Sequence, residues 1–351
     1  MTPSVAPSTT TPLSASNPAD LLAMTTKMIG YTPTDSLVVI GLQPGSTGAF
    51  LRLDLTTALK RPARIADSYA PTLAKSHEAC IVLTFTPEAP TAETFSKAAA
   101  ALAALDQRFT AAGVPVVSAW QIGGGYARAL DCPNAECCPY PGQPVGPVGP
   151  AARELLAEPA PTPTQELARY TQATPDAHCA EQIAQTVASG SKGLLFFDAV
   201  ASGETTAEEM TAAELAGLLA GLDTHHAPAV IATTVEGLSA GLTALTARPQ
   251  VTGIPAVAST YGTAPNWERI DRLAAALATL APYAEGSTAA NLYAIMGWIS
   301  FAKGQGTLTT LFIDHAKGID PRNRLVGDIA LLSSRRVSGW AQNPSTAYPH
   351  Q

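Results

Sequence analysis

Charged side chains are scarce in this sequence: they make up 14% of its 351 residues, against 46% hydrophobic. General disorder needs the opposite balance, so it is excluded. Basic residues are few, and the net charge is −7. Nucleic-acid binding leans on clustered Lys and Arg, and the one local pair, Arg335-Arg336, is too short to serve. No nucleic-acid partner is expected. Long apolar runs are also missing: nothing approaches the roughly 18 uninterrupted apolar residues of a membrane span, so no membrane partner is expected. The opening "MTPSVAPSTTTPLSASNP" has neither a basic n-region nor an apolar h-region and does not read as a secretory signal. The expected location is therefore the reducing cytoplasm, where stable disulfides are rare. Four catalytic signatures are absent too: there is no G-x-S-x-G, no H-E-x-x-H, no Walker-type loop and no Rossmann fingerprint.

What is present reads first as an α/β half. Residues 1–16 are rich in Ser, Thr and Pro and are expected to be a disordered tail. Asn17, Pro18 and Asp20 then signal a helix start, and Gly30 its end. "SLVVIGL" (36–42) and "ACIVLTF" (79–85) are continuous apolar runs of strand length, expected side by side in the middle of one mixed sheet and covered on both faces. "AFLRLDL" (49–55) alternates and should pair with the first as a hairpin. Helices are expected through about residue 77 and over 91–112. Strands are expected at 114–122 and 126–130, joined at "GGG". Strands interrupted by helices give an α/β fold class with a mixed sheet.

The Pro- and Gly-rich stretch 139–150 ends that texture. The expected domains are 17–150, α/β and closing in a Cys/Pro-rich loop, and 151–336, helical, with a flexible tail over 337–351. Helices are expected at 151–157, 164–188, 211–222, on through about 245, and then at 265–282, 287–303, 306–318 and 322–335. "KGLLFFDAV" (192–200) fits a strand or a buried helix by length. "AKGQGTLTTLFIDHAKGIDP" resembles the turn and second helix of one tetratricopeptide unit, with Ala316 and Pro321 at the spacing of that repeat. No second copy is found, and solenoids need several repeats to stack, so an isolated helical hairpin is the preferred reading.

The densest chemistry is "DCPNAECCPY" (131–140), which holds three of the five cysteines. Cys132, Cys137 and Cys138 are the candidate metal ligands, with zinc as the candidate ion and the fourth ligand drawn from Cys80, His178 or Cys179. Against this, adjacent cysteines are expected to project in different directions, and a C-x-x-C pair would be more specific. A disulfide from Cys132 to either partner is geometrically allowed but disfavoured in a reducing compartment. A reactive thiol needs a neighbouring base or cation, and the local sequence offers only Arg128, opposed by Asp131 and Glu136. The plainest reading has Cys137 buried under the loop as a small hydrophobe. Under all of these, Cys132 and Cys137 should lie close together, because Pro133 and Asn134 favour a turn.

Other candidates are weaker. "GGGYAR" (123–128) reads as a hairpin turn, since a phosphate loop would lead into a helix. The histidines of "THHAP" (224–228) read as solvated loop residues. Glu208 and Glu209 read as first-turn acids of the following helix.

"NPADLLAMTTKMIGYTPTDSLVVIGL", the Gly-rich hairpin before "CPNAECCP", "MTAAELAGLLAGL" and "WISFAKGQGTLTTLFIDHAKGIDPRNRL" occur in that order. Together they resemble the actinobacterial family known as domain of unknown function 4192, from about Asn17 to about Leu332. The resemblance implies a cytosolic actinobacterial protein of no assigned activity. Members of that family tend to carry aromatics before the first cysteine and a Glu after Cys-Cys-Pro; this chain reads "GGYARALDC" and "CCPYPG" there. The functional expectation is a non-catalytic binding or scaffold protein, with an unidentified protein or small molecule as partner. The alternative is an enzyme with a pocket at the domain junction beside the Cys132–Cys138 loop.

Overall fold

The computed structural model describes residues 17–29, 32–43, 46–132, 134, 136–146, 149, 163–246, 263–335, 338–341, 343 and 345–349. The expected tail over 1–16 and the expected helix over 151–157 lie outside them. The chain divides into two compact units, Met1–Thr162 and Pro163–Gln351.

The first unit is a six-stranded sheet. In chain order its strands are β1 (Ser36–Gln43), β2 (Ser46–Asp54), β3 (Ala79–Thr86), β4 (Val116–Gly123), β5 (Tyr126–Ala129) and β6 (Gln143–Pro144). Across the sheet they run β2-β1-β3-β4-β5-β6. β3 and β4 are parallel, and the other neighbours are antiparallel. The parallel pair needs a crossover, which α4 (Ala92–Ala111) supplies. β1 and β3 are neighbours, with Val39 opposite Val82.

Their unbroken apolar sequence follows from cover on both faces. Leu37, Val39, Val82 and Ala119 pack with Ile65 and Leu73 of α3 (Pro62–Leu73) and with Leu105 and Phe109 of α4. On the opposite face Val38, Ile40, Ile81 and Leu83 pack with Leu21 and Met24 of α1 (Pro18–Ile29). The span expected as one helix through residue 77 is two, α2 (Leu55–Lys60) and α3. They break at Arg61, and Pro62 opens the second.

The second unit is helical throughout its described residues. Its helices are α5 (Pro163–Thr171), α6 (Ala177–Gln185), α7 (Gly190–Ser202), α8 (Ala212–Gly221), α9 (Ala227–Glu236), α10 (Leu238–Thr246), α11 (Trp267–Leu280), α12 (Gly286–Ala302), α13 (Gly306–Ile319) and α14 (Arg324–Arg335). The helix expected over 164–188 is interrupted at Pro175, and Asp176 starts α6 by accepting from Cys179 N–H at 2.8 Å. Residues 192–200 are helix, not strand. Leu194, Phe197 and Val200 recur at helical spacing on the buried side, and Gly203 closes α7 in the left-handed region at φ +83°.

α12 and α13 form an antiparallel-type hairpin across Gly304, with Trp298 and Phe312 fully buried. Asn291 links helices inside the core: its amide donates to Leu222 O at 2.8 Å and accepts from Asn323 Nδ2 at 2.9 Å. The expected flexible tail over 337–351 is packed where it is described. Trp340 is buried and donates to Thr263 O, Ser338 donates to Ala302 O, and Tyr348 donates to Asp271. The large apolar surface of Trp340 gives that segment a reason to dock.

Candidate metal centre

The cysteine loop is tied at both ends to one strand. β5 finishes as Leu130 N–H donates to Ala119 O at 2.9 Å, and the chain returns to the same strand as β6, where Gln143 lies opposite Ala127. Gly142 permits the return. Its φ is +104°, and a Cβ there would come within 2.3 Å of Ala127 O.

Asn134 shapes the loop from within. Its side-chain oxygen accepts from Glu136 N–H at 2.8 Å, an Asx turn, and its carbonyl accepts from Cys138 N–H at 2.9 Å. That one helical turn carries Cys137 and Cys138 back towards Cys132. Pro133, expected to share this work, lies outside the described residues.

The sulfurs of Cys132, Cys137 and Cys138 lie within 4.8 Å of one another. Cys138 Sγ donates to Cys137 Sγ at 3.9 Å, and Cys132 Sγ to Asn134 O at 4.0 Å. Two sulfurs on one tetrahedral zinc, each with a bond of ~2.3 Å, stand ~3.8 Å apart. The three thiols are therefore near ligand spacing, and small side-chain shifts would close the set. The expectation that adjacent cysteines diverge does not hold here, because the turn at Asn134 aims both at Cys132. Nor is Cys137 buried under the loop: it is exposed, while Cys132 and Cys138 are half-buried. All five cysteines are free thiols.

The thiols share protons unequally. Hydrogen bonding from Cys138, then from Asn134 and Cys137, together with the Arg128 charge, lowers the Cys132 thiol below its ordinary value. The same Cys132 contact pushes Cys138 up to about 11. The pair gives up its protons in two steps, and the first negative charge discourages the second.

Beneath the loop lies Arg128, opposite Gln121 on β4 and only 1% exposed. Its guanidinium sits 3.7 Å from the Phe95 ring centroid and 4.3 Å from that of Tyr140. Nε donates to Cys138 O at 2.9 Å. Nη1 and Nη2 are buried without a hydrogen-bond partner among the described residues, as is Gln121 Oε1. A buried cation with two idle donors is costly unless negative charge stands nearby. A three-thiolate centre bound to a divalent ion carries net charge −1, the sign that Arg128 lacks.

A family model described as a domain of unknown function, DUF4192, matches residues 18–332. The chain belongs to the DUF4192 family. No curated protein and no solved structure matches it. Among the described residues, no helix of this DUF4192 chain is long and apolar enough to cross a membrane.

Of the fourth-ligand candidates, one lies in the first unit and two in the second. Cys80 is in the core of the first unit, where it donates to Val114 O at 3.7 Å and burial pushes its thiol up to about 12. His178 and Cys179 lie on α6 of the second unit. Among the described residues no His, Asp or Glu joins the three-sulfur cluster. Among the described residues of the first unit, the loop thus offers an ion three protein ligands. Sequence reasoning noted Arg128 only as a nearby cation; its burial was the feature missed. The signal was its alternation with Leu130, since both face the side that α4 covers.

Proposed function

We propose that the Cys132–Cys137–Cys138 loop is a zinc centre with a structural role, in a cytoplasmic actinobacterial protein that works by binding. The observation that carries this reading is the convergence of three sulfurs to within 4.8 Å on a loop tied at both ends to β5. Thiolates favour zinc and other soft ions over calcium or magnesium. An ion would replace weak thiol–thiol contacts with three strong bonds, fixing the loop against β5 and β6. Arg128 would supply the opposite charge, and a water or a small exogenous ligand the fourth position. The α12–α13 hairpin, similar to a tetratricopeptide unit, supports a protein or small molecule as the partner of the second unit.

The test is metal content with thermal unfolding. Purified protein should carry about one zinc per chain, and its removal should lower the melting temperature. Protein free of metal whose melting does not respond to added zinc would overturn the reading. The lowered thiol of Cys132 favours one competing reading, a nucleophilic cysteine. That reading wants a general base, and among the described residues the hydrogen bonds of the three thiols run only to one another and to the backbone of Asn134.

A further inference from the structure

The second unit holds a nucleophile, a base and an orienting acid in line. Asp223 and His226 lie in the turn between α8 and α9, and Ser191 lies in the first turn of α7. Nδ1 of His226 is 2.8 Å and 2.9 Å from the two carboxylate oxygens of Asp223. Nε2, on the far side of the ring, is 3.5 Å from Ser191 Oγ. We propose that Ser191, His226 and Asp223 form a serine-hydrolase triad acting on carboxylic esters, an activity additional to the binding role proposed above and independent of the cysteine loop.

Three observations carry this. The imidazole is seated: its side chain is 15% exposed, its ring meets that of His225 edge-on at 5.0 Å, and it packs close to Gly190. A Cβ at residue 190 would fall 2.4 Å from Nδ1, so glycine is what lets the ring reach α7 at all. The acid is held as well. Asp223 Oδ1 accepts from the backbone N–H groups of His225 and His226 at 2.9 Å and 2.8 Å. Burial alone would raise its carboxyl, but the bonds from His226 and His225 outweigh that and keep it below the ordinary value. Turn formation explains the aspartate; it does not explain why Nε2 points at a hydroxyl 35 residues away. The nucleophile, finally, is exposed at a helix start. Ser189 caps α7 without a side-chain hydrogen bond, and the first backbone donor to close a turn is Gly193, onto Ser189 O. The N–H groups of Ser191 and Lys192 have no intrahelical acceptor and point out of the helix end, where an oxyanion would form.

The chemistry balances with water as the only co-substrate. With its Nδ1–H donated to Asp223, His226 presents a lone pair on Nε2. Ser191 Oγ attacks the ester carbonyl as its proton passes to Nε2, and the tetrahedral oxyanion takes hydrogen bonds from the free N–H groups. The C–O bond to the leaving alcohol then breaks, and the alcohol takes the proton from Nε2. Water, deprotonated by the same nitrogen, cleaves the acyl-serine, releasing a carboxylic acid and restoring the hydroxyl. The 3.5 Å separation is at the outer limit of a hydrogen bond, as is common for such pairs without substrate.

A fluorophosphonate probe tests this on the full chain, with the labelled residue located by peptide mass spectrometry. Ser191 is expected to be labelled stoichiometrically, and p-nitrophenyl acetate to be hydrolysed with an acyl burst. Ser191→Ala should abolish both with unchanged melting temperature. His226→Gln should slow labelling by about 100-fold or more, the range of a lost general base. Ser202→Ala, at the far end of α7, should label as the wild type does. An unlabelled wild-type protein, a label on another residue, or a Ser191→Ala protein with wild-type burst amplitude would each overturn the proposal.

Discussion

Replacing Arg128 with Met separates what the guanidinium does for the fold from what it does for an ion. Met keeps an unbranched apolar stem between Phe95 and Tyr140 but removes the charge. The losses are a charged hydrogen bond to Cys138 O, worth about 1.5–3 kcal/mol, and a desolvated cation–π contact, worth about 2 kcal/mol. Set against them is relief of two buried donors, Nη1 and Nη2, that have no partner among the described residues. Each such donor costs about 1–3 kcal/mol. The terms are of equal size and opposite sign, so the stability of metal-free protein should move by less than about 2 kcal/mol. Zinc affinity should not escape so lightly. Partners that support metal ligands from behind typically contribute 10–100-fold, or about 1.4–2.8 kcal/mol. Urea unfolding of metal-free protein gives the first quantity, and competition with a chromophoric chelator the second. Unchanged zinc affinity in a folded Arg128→Met protein would refute the charge argument. Destabilisation of the metal-free protein beyond about 4 kcal/mol would show that the Nη donors are satisfied after all.

Val39→Asp should unfold the first unit, because Val39 is fully buried between two layers and an unpaired charge there costs several kcal/mol; a soluble protein with native circular dichroism would contradict it. In metal-free protein at neutral pH, iodoacetamide should modify Cys132 before Cys138. The Cys132 thiol is lowered and so reaches its reactive thiolate form at lower pH, whereas that of Cys138 is pushed up to about 11. Cys80, buried and at about 12, should react only on unfolding, and peptide mapping over time reads the order. Trp340→Ala should cost about 3–5 kcal/mol in urea unfolding of the second unit, since Trp340 is 4% exposed in its core; a change below about 1 kcal/mol would mean that the C-terminal segment is dispensable.

The central strands were legible because burial on both faces writes itself as an unbroken apolar run, as in "SLVVIGL". The closing of the cysteine loop was not. β6 is two residues long and contains a proline, so no periodicity marks it, and Gly142 reveals its purpose only once Ala127 stands against it. Arg128 sits in a four-residue strand, too short for its alternation with Leu130 to outweigh the habit of placing charge in water. For residues 192–200 the helical spacing of Leu194, Phe197 and Val200 was present, and length alone could not decide. His226 illustrates the limit of local reading. Its pairing with Asp223 is a three-residue matter, but its meeting with Ser191 depends on how α7 packs beside the α8–α9 turn.

X-ray absorption at the zinc edge of the loaded protein tests the central claim most directly. The account predicts three sulfur scatterers at ~2.3 Å and one lighter atom, with sulfur lost on Cys132→Ser, Cys137→Ser or Cys138→Ser. A first shell of nitrogen and oxygen alone, or a sulfur count unmoved by all three substitutions, would contradict it.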